Sequence, residues 1–277
     1  MKALGTDILG NIAILKFGRE IKTIEKKKFA ENFLEEHKNV TTVLEKTDKF
    51  KGRLRIQKTK FLAGLNTKEV LYKENNCIFR FNVDTCYFSP RLASERKELS
   101  SKVRKNENIL VMFGGIAVYA IVIAKNQKVA RVVSVEISRE CNRYAKINIK
   151  KNKVENIVEL IQGDVKKKVP LIREMFDRII MPRPNLKDSF LDVAFTKIKK
   201  NGTIYYYGFS PPTFPKRIIN KEISGRLLER EDKKNLRELI KNKAKKSGKK
   251  VKILLIKKAG DIAPYKFRYR ADVKVLS

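Results

Sequence analysis

Apolar residues recur at two different spacings in the second part of the chain, from about residue 96 onward. Short apolar runs predict strands at residues 109–113, 130–136, 158–162, 176–181 and 202–207, and segments with helical spacing lie between them. A long basic helix is predicted over residues 220–249, with further strands at 251–256 and 268–276. Strands that alternate with helices in this way are typical of a mostly parallel, doubly wound sheet. The predicted fold class is therefore α/β, with a Rossmann-like domain over residues 96–277.

The first part of the chain has a different pattern. Residues 7–16 predict two strands joined by a turn, and residues 27–37 have the spacing of a helix. Three more short strands are predicted at 40–44, 69–72 and 77–83. We therefore expect a smaller α+β domain over residues 1–95.

Basic residues greatly outnumber acidic ones. The chain has 64 Lys and Arg and 30 Asp and Glu, which gives a formal charge of +34. Such a surplus repels itself unless an anionic partner or salt screens it, and nucleic acid is the first candidate. The basic residues are spread over the whole chain, which favours a folded body with a basic face. A highly charged thermophile surface is the alternative, although such surfaces usually balance Lys with Glu.

Several protein classes are disfavoured by the sequence. No apolar run approaches the roughly 20 residues of a membrane-spanning helix, and the first residues do not open a signal peptide, so we expect a cytoplasmic protein. The three cysteines, Cys77, Cys86 and Cys141, form no CxxC pair, and His37 is the only histidine. We therefore expect no metal site, and we expect His37 to lie on the surface of a charged helix.

Three predicted strands end in residues suited to a nucleotide, and ligands bind at strand ends in sheets of this type. The glycine turn Gly114–Gly115 lets the backbone approach a ligand closely. Glu136 follows 21 residues after Gly115, where a carboxylate can accept from both ribose hydroxyls. Asp164 can accept from an adenine amino group, although either acid alone could be a helix cap or a turn residue. Because the phosphate-binding GxGxxG pattern is absent, the set favours S-adenosylmethionine over a dinucleotide.

A longer motif precedes these strands. Residues 87–96, with the sequence Tyr-Phe-Ser-Pro-Arg-Leu-Ala-Ser-Glu-Arg, followed by the nucleotide domain, resemble the archaeal tRNA guanine-37 N1-methyltransferases. That family also contains enzymes of the wyosine pathway. The resemblance covers nearly the whole chain, and we expect the family's separate N-terminal domain for the tRNA elbow to be missing. It implies a class I S-adenosylmethionine-dependent enzyme that acts on the anticodon loop of tRNA, and we expect a monomer.

The resemblance also implies roles for individual residues. Guanine N1 carries a proton at neutral pH, so its alkylation needs a general base and a cation near O6. By similarity, Glu95 is the base, Arg55 is the cation, and Tyr87 packs against the methionine end of the cofactor or the target base. Cofactor contacts are implied for Phe113, Gly115, Glu136, Ile137, Asp164, Val165 and Met181, and RNA contacts for Arg91, Pro182, Arg183 and Pro184. Glu95 could instead stabilise a helix N-terminus, and Arg55 and Arg91 could be ordinary solvated charges.

Three departures from the family pattern leave other hypotheses open. Val111 stands where the family usually has an acidic residue, Ala117 and Val118 replace a Gly-Pro pair, and Pro182 replaces an Asn that helps to hold the guanine. The substrate could therefore be C7 of 4-demethylwyosine. The chain could also be the aminocarboxypropyl transferase of wyosine synthesis, or a non-catalytic tRNA-binding protein whose cofactor pocket has decayed.

Overall fold

The N-terminal part of the chain folds into a four-stranded sheet with one helix against it. The computed structural model describes residues 3–48, 52, 54, 56–182, 186, 188–210, 225–263 and 266–277. The elements here are β1 (Gly5–Leu9), β2 (Ile12–Lys16), α1 (Thr23–Glu36), β3 (Thr42–Lys46) and β4 (Thr59–Gly64), and the strands lie in that order. α1 connects β2 to the parallel β3 and buries Ala30 and Phe33. This α+β unit agrees with the predicted pattern.

A hairpin and a short helix follow. The hairpin consists of β5 (Glu69–Glu74) and β6 (Cys77–Asn82), which pair antiparallel. A 3-10 turn at Pro90–Leu92 then leads into α2 (Ala93–Ser101).

A seven-stranded sheet dominates the rest of the molecule. Its strands are β7 (Asn108–Met112), β8 (Arg131–Glu136), β9 (Val158–Gln162), β10 (Phe176–Met181), β11 (Ile198–Phe209), β12 (Val251–Ala263) and β13 (Lys266–Val275). They lie in the order β12–β13–β11–β10–β7–β8–β9, with β7 to β11 mutually parallel and β12 and β13 antiparallel to their neighbours. This is the α/β, Rossmann-like sheet that the alternation of strands and helices predicts.

Helices cover both faces of this sheet. One face carries α2, α3 (Val118–Asn126) and α4 (Arg139–Asn152), and the other carries α5 (Val165–Lys168), α6 (Leu191–Lys197) and α7 (Gly225–Lys246). Successive residues of β7 alternate between the two cores, so this strand is apolar throughout. After β9, at one edge, the chain returns to place β10 beside β7. The carboxyl ends of β7 and β10 thus form the switch point where ligands bind in such sheets.

Two asparagines of α4 fasten the hairpin to the larger sheet. Asn148 accepts from the Arg80 N–H at 2.7 Å and donates to the Arg80 carbonyl at 3.1 Å. Asn152 makes the same pair of bonds with Ile78, at 2.9 and 2.7 Å. Residues four apart lie on the same side of a helix, and residues two apart lie on the same side of a strand. The two side-chain amides therefore hydrogen-bond to the backbone of β6 in the way that the backbone of a neighbouring strand would. The hairpin is therefore attached to the larger sheet. The domain boundary expected after residue 95 stays a prediction.

Some elements differ in length from the prediction. β12 extends to Ala263, beyond its apolar run, because backbone pairing with β13 continues through charged residues that no hydrophobic pattern marks. The segment with helical spacing between the predicted strands at 176–181 and 202–207 forms a helix only at α6, because the chain enters β11 at Ile198. In the described part of the chain, none of the helices is long and apolar enough to cross a membrane.

Candidate active site

A pocket opens where the carboxyl ends of β7, β8, β9 and β10 meet. One side is lined by residues that follow these strands, which are Phe113, Gly114, Gly115, Ile116, Glu136, Ile137, Ser138, Gly163, Val165 and Pro182. The other side is lined by Tyr87, Phe88, Ser89, Leu92, Arg96, Tyr119, Tyr207 and Arg268. The structure thus brings together most of the residues that the resemblance implies for the cofactor, with Tyr87 opposite them.

The turn after β7 gives this pocket its shape. Phe113, Gly115 and Ala117 all have left-handed backbones, with φ of +63°, +57° and +64°. The N–H of Gly114 donates to a carbonyl of β8 at 3.0 Å, and a Cβ at Gly114 would come within 2.0 Å of Ser134 Oγ. A side chain at 114 would therefore force the Ser134 side chain to move if the turn kept its place against β8.

Glu136 projects from the end of β8 into the pocket wall. Its Oε2 accepts from the Gly115 N–H at 2.9 Å, and its Oε1 accepts from the Ser138 N–H at 2.8 Å. These two bonds fix the carboxylate between the turn after β7 and the start of α4. Because a carboxylate has about four acceptor positions, this geometry suits a further pair of hydroxyl donors such as those of a ribose.

Two of the predicted cofactor residues do not line the pocket. The Asp164 carboxylate accepts from the Lys166 N–H at 2.9 Å and caps α5, while its neighbours Gly163 and Val165 face the pocket. Met181 is fully buried in the core on the α6 side, because alternation along β10 turns its side chain away from the pocket. One carboxylate oxygen of Asp164 therefore serves as the cap of α5, while Met181 lies in the core.

A buried ion pair holds the wall formed by residues 87–96. Arg96 donates to both carboxylate oxygens of Glu74 at 2.5 Å and to the Ser89 carbonyl at 3.0 Å. Its guanidinium also lies 5.1 Å from the centre of the Phe88 ring, within cation–π range. These contacts join the wall to β5 and leave Arg96 little freedom to move.

The predicted RNA contacts lie in different places. Pro182 lines the pocket. The Arg91 side chain is 77% exposed and pairs with Asp7 of β1 at 3.1 Å, so it braces the wall from outside the pocket. The remaining predicted residues of this kind, together with the predicted O6 cation, lie outside the described residues: Arg183, Pro184 and Arg55.

Glu95 lies directly behind the pocket in a buried cluster of charges. It is 7% exposed, and its Oε1 accepts from the Tyr207 hydroxyl at 3.0 Å and from Arg270 at 2.6 Å. Its Oε2 pairs with Lys257 at 2.9 Å. Tyr207 lines the pocket, and its hydroxyl also accepts from the Tyr119 hydroxyl at 3.1 Å. One tyrosine hydroxyl therefore separates the predicted base from the pocket.

Arg270 stands at the centre of this cluster. It is 0% exposed and pairs with three carboxylates, those of Glu95, Glu98 and Asp272. A guanidinium so deeply buried is tolerated only when its charge is paired. Partial burial acts to raise the pKa of Glu98, but hydrogen bonds from Arg270 and two lysines lower it to about 2. Burial raises the pKa of Tyr207 well above its usual value, which keeps this hydroxyl protonated.

Four functional residues carry no clear sequence signal: Tyr119, Tyr207, Arg268 and Arg270. They come from α3, β11 and β13, far apart in the sequence. A signal was present in β13, where Arg268, Arg270 and Asp272 alternate with apolar residues. That alternation usually indicates a strand with one solvated face. In this structure the charged face is turned to the pocket and Glu95 instead.

Comparison with known sequences matches one family over most of the chain. The model of the TRM5/TYW2 methyltransferase domain matches residues 70–239. The chain is 35% identical over 269 residues to tRNA (guanine(37)-N(1))-methyltransferase Trm5b of Pyrococcus abyssi, covering 97% of this chain and 74% of that protein. It is 34% identical over 254 residues to tRNA (guanine(37)-N(1))/4-demethylwyosine(37)-methyltransferase Taw22 of Nanoarchaeum equitans, covering 74% of this chain and 83% of that protein.

Comparison with solved structures agrees. The crystal structure of wild-type Trm5b from Pyrococcus abyssi matches with a TM-score of 0.79 at 32% identity, covering 99% of this chain and 75% of that one. The matched domain begins at the hairpin and contains Glu95, Glu136 and Tyr207, so it includes both sides of the pocket. The chain therefore belongs to the TRM5/TYW2 methyltransferase family.

Proposed function

We propose that this protein is an S-adenosylmethionine-dependent tRNA methyltransferase that methylates N1 of guanosine-37, beside the anticodon. The observation that carries the proposal is the pocket itself. It has a fixed carboxylate, Glu136, on one side and a tyrosine hydroxyl hydrogen-bonded to buried Glu95 on the other. The activities named for the two relatives described above support the same reaction class.

The first side of the pocket fits the cofactor. Glu136 would accept the two ribose hydroxyls, and Ile137 and Val165 offer an apolar slot for the adenine ring. Asp164, beside the slot, is the proposed partner of the adenine amino group. Gly115 leaves room for the methionine part. When bound, S-adenosylmethionine supplies an electrophilic methyl group on its sulfonium sulfur.

The other side of the pocket fits the proton transfer. A general base must lie within hydrogen-bond reach of the proton it removes, or reach it through one intervening group. Glu95 satisfies the second condition through Tyr207. We propose that the N1–H bond of guanine breaks toward the Tyr207 oxygen while Tyr207 passes its own proton to Glu95 Oε1. The electron pair left on N1 would form the new bond to the methyl carbon as the bond from that carbon to the cofactor sulfur breaks, so the sulfur would keep the bonding electrons and S-adenosylhomocysteine would leave.

We propose that tRNA binds along the exposed side of α7, and that the overall positive charge of the chain favours this binding. One side of α7 packs into the core through Leu228, Leu236, Ile240 and Ala244. Its exposed side chains include Arg230, Lys234, Arg237, Lys241 and Lys245. A cation that contacts phosphate releases counterions, so replacing three of these residues is expected to weaken tRNA binding and flatten its dependence on salt. An unchanged salt slope would place the RNA elsewhere.

A second substrate is favoured by one feature of the pocket. Pro182, which has no side-chain hydrogen-bonding group, lines it where the family usually has an amide that holds guanine. A tricyclic base offers more apolar surface for such a wall. The Nanoarchaeum equitans relative is named for both guanosine-37 and 4-demethylwyosine-37. We therefore propose C7 of 4-demethylwyosine as the second candidate target.

The direct test of the proposed target compares two tRNA transcripts that differ only at position 37. With methyl-labelled cofactor, the guanosine-37 transcript is expected to gain one methyl group per molecule and the adenosine-37 transcript none. Equal labelling of both transcripts would show that position 37 is not the target. Labelling of neither, with no cofactor binding by calorimetry, would favour a decayed pocket.

A further inference from the structure

Two cysteines from distant parts of the sequence meet beside the pocket. The Sγ atoms of Cys86 and Cys141 lie 2.8 Å apart, and the residues are 2% and 5% exposed. Cys86 immediately precedes the pocket wall at Tyr87, and Cys141 lies in the first turn of α4 and lines the pocket. A disulfide bond is about 2.05 Å long, so a small movement of two side chains would close one here.

Local hydrogen bonds hold both backbones in this arrangement. The Cys86 N–H donates to the Asn82 carbonyl at 3.0 Å, and the Asn82 side chain accepts from the Asp84 and Thr85 N–H groups. On the other side, the Cys141 N–H donates to Ser138 Oγ at 3.2 Å, the cap of α4. The two sulfurs are therefore brought together by ordered turns on both segments, and their approach does not depend on a flexible loop.

We propose that Cys86 and Cys141 form an intramolecular disulfide that ties the Tyr87 wall of the pocket to α4. The oxidant is a small peroxide, which can reach Cys141 through the pocket. The Cys141 sulfur attacks one peroxide oxygen, the O–O bond breaks, and a sulfenic acid and water form. The Cys86 sulfur then attacks the Cys141 sulfur and displaces the hydroxyl as a second water. Two thiols and one hydrogen peroxide thus give one disulfide and two waters.

We expect this disulfide to stabilise the fold. It joins positions 55 residues apart, and closing a loop of this length restricts the unfolded chain. The expected gain corresponds to a rise in melting temperature of roughly 10 °C for a chain of this size. Because both backbones are already held in place, the pocket itself changes little. Affinity for S-adenosylmethionine is therefore expected to stay within about twofold.

Cys77 provides a matched control within the same chain. It is also a buried free cysteine, but its sulfur donates to the Asn75 carbonyl, whereas the sulfurs of Cys86 and Cys141 contact each other. Because the hydrogen bond with Cys141 and burial both raise the pKa of Cys86, we expect peroxide to react first at Cys141, which lines the pocket. Isolated attack on the Cys86 thiol by alkylating reagents is correspondingly disfavoured.

The experiment treats the 277-residue chain with substoichiometric and then equimolar hydrogen peroxide, and maps the tryptic peptides by mass without reduction. The expected result is a cross-linked peptide pair containing Cys86 and Cys141, with a mass loss of about 2 Da that a thiol reductant reverses. Cys77→Ser should behave like the wild type, and Cys141→Ser should not lose this mass. Oxidised wild type should melt at a higher temperature than its reduced form.

Three results would overturn the proposal. The first is addition of oxygen to Cys86 or Cys141 without a cross-link, and the second is a cross-link that involves Cys77. The third is a Cys86–Cys141 cross-link that leaves the melting temperature unchanged, because it would remove the structural role. Peptide mapping and melting temperatures of the wild-type protein test the proposed disulfide even if a serine variant folds poorly.

Discussion

Replacing Tyr207 by Phe removes one hydroxyl and leaves the ring that lines the pocket. That hydroxyl is the donor to Glu95 at 3.0 Å and, in the proposed reaction, the route of the N1 proton. A hydrogen bond to a charged group contributes about 1.5–3 kcal/mol. Since about 1.4 kcal/mol corresponds to a tenfold change in rate, single-turnover methylation is expected to slow by about 10- to 150-fold. The KM for the cofactor should change by less than about twofold, because the ring stays in place.

Tyr205 offers a matched control on the same strand. It is two residues away on the same side of β11, equally buried, and its hydroxyl accepts from Arg178 with no contact to Glu95. Tyr205→Phe is therefore expected to lose comparable stability and to keep its methylation rate. If both variants reacted at the wild-type rate, or if both slowed equally, the Tyr207–Glu95 route would be wrong.

A double variant separates a shared route from two independent effects. Glu95→Gln should slow single-turnover methylation at least as much as Tyr207→Phe, with tRNA affinity nearly unchanged. If the two residues act in one proton path, the double variant should be no slower than Glu95→Gln alone. Rate losses that multiply would mean that Tyr207 and Glu95 act separately.

Three further predictions concern stability. Asn152→Leu leaves two backbone groups of β6 unpaired and should lower the free energy of unfolding by about 2–4 kcal/mol in urea titrations, whereas Lys150→Leu on the exposed side of α4 should change it by less than about 0.5 kcal/mol. Ala117 has a left-handed backbone, which glycine adopts without strain, so Ala117→Gly should raise the free energy of unfolding by about 0.5–1 kcal/mol. A decrease in that free energy would show that the backbone at 117 is not strained. Because the pKa of Glu98 is lowered to about 2, its ionised form stabilises the fold above about pH 4.5, and that stability is lost as the pH falls toward 2. Glu98→Gln should therefore lose less melting temperature than wild type across this window.

The cofactor side of the pocket followed from sequence because its residues sit at strand ends. Each apolar run ends at a definite position, and in a parallel sheet neighbouring ends meet at one edge. Gly115 and Glu136 could be placed together on this basis, and the structure does bring them within hydrogen-bond distance. Asp164 shows the limit of the argument, because a strand end is also where the next helix needs its cap.

The Glu95 side could not be predicted from local pattern. Arg270 and Asp272 alternate with apolar residues as on a solvated strand face, and only the packing of α2 on that face buries them. The contacts of Asn148 and Asn152 could not be predicted either. Amides spaced four apart on a basic helix usually indicate a side exposed to solvent, and only the structure shows that β6 lies against this side. Such contacts depend on tertiary neighbours from distant parts of the chain.

The most direct measurement of the central claim is mass spectrometry of nucleosides and of the spent cofactor after reaction with tRNA. One tRNA carries guanosine-37 and a second carries 4-demethylwyosine at that position. We expect N1-methylguanosine at position 37 of the first tRNA, in a one-to-one ratio with S-adenosylhomocysteine, and we expect Glu95→Gln to lose this product. Methylthioadenosine as the spent cofactor would indicate aminocarboxypropyl transfer. That result, or no modified nucleoside from either tRNA, would contradict the proposed methyl transfer to guanosine-37.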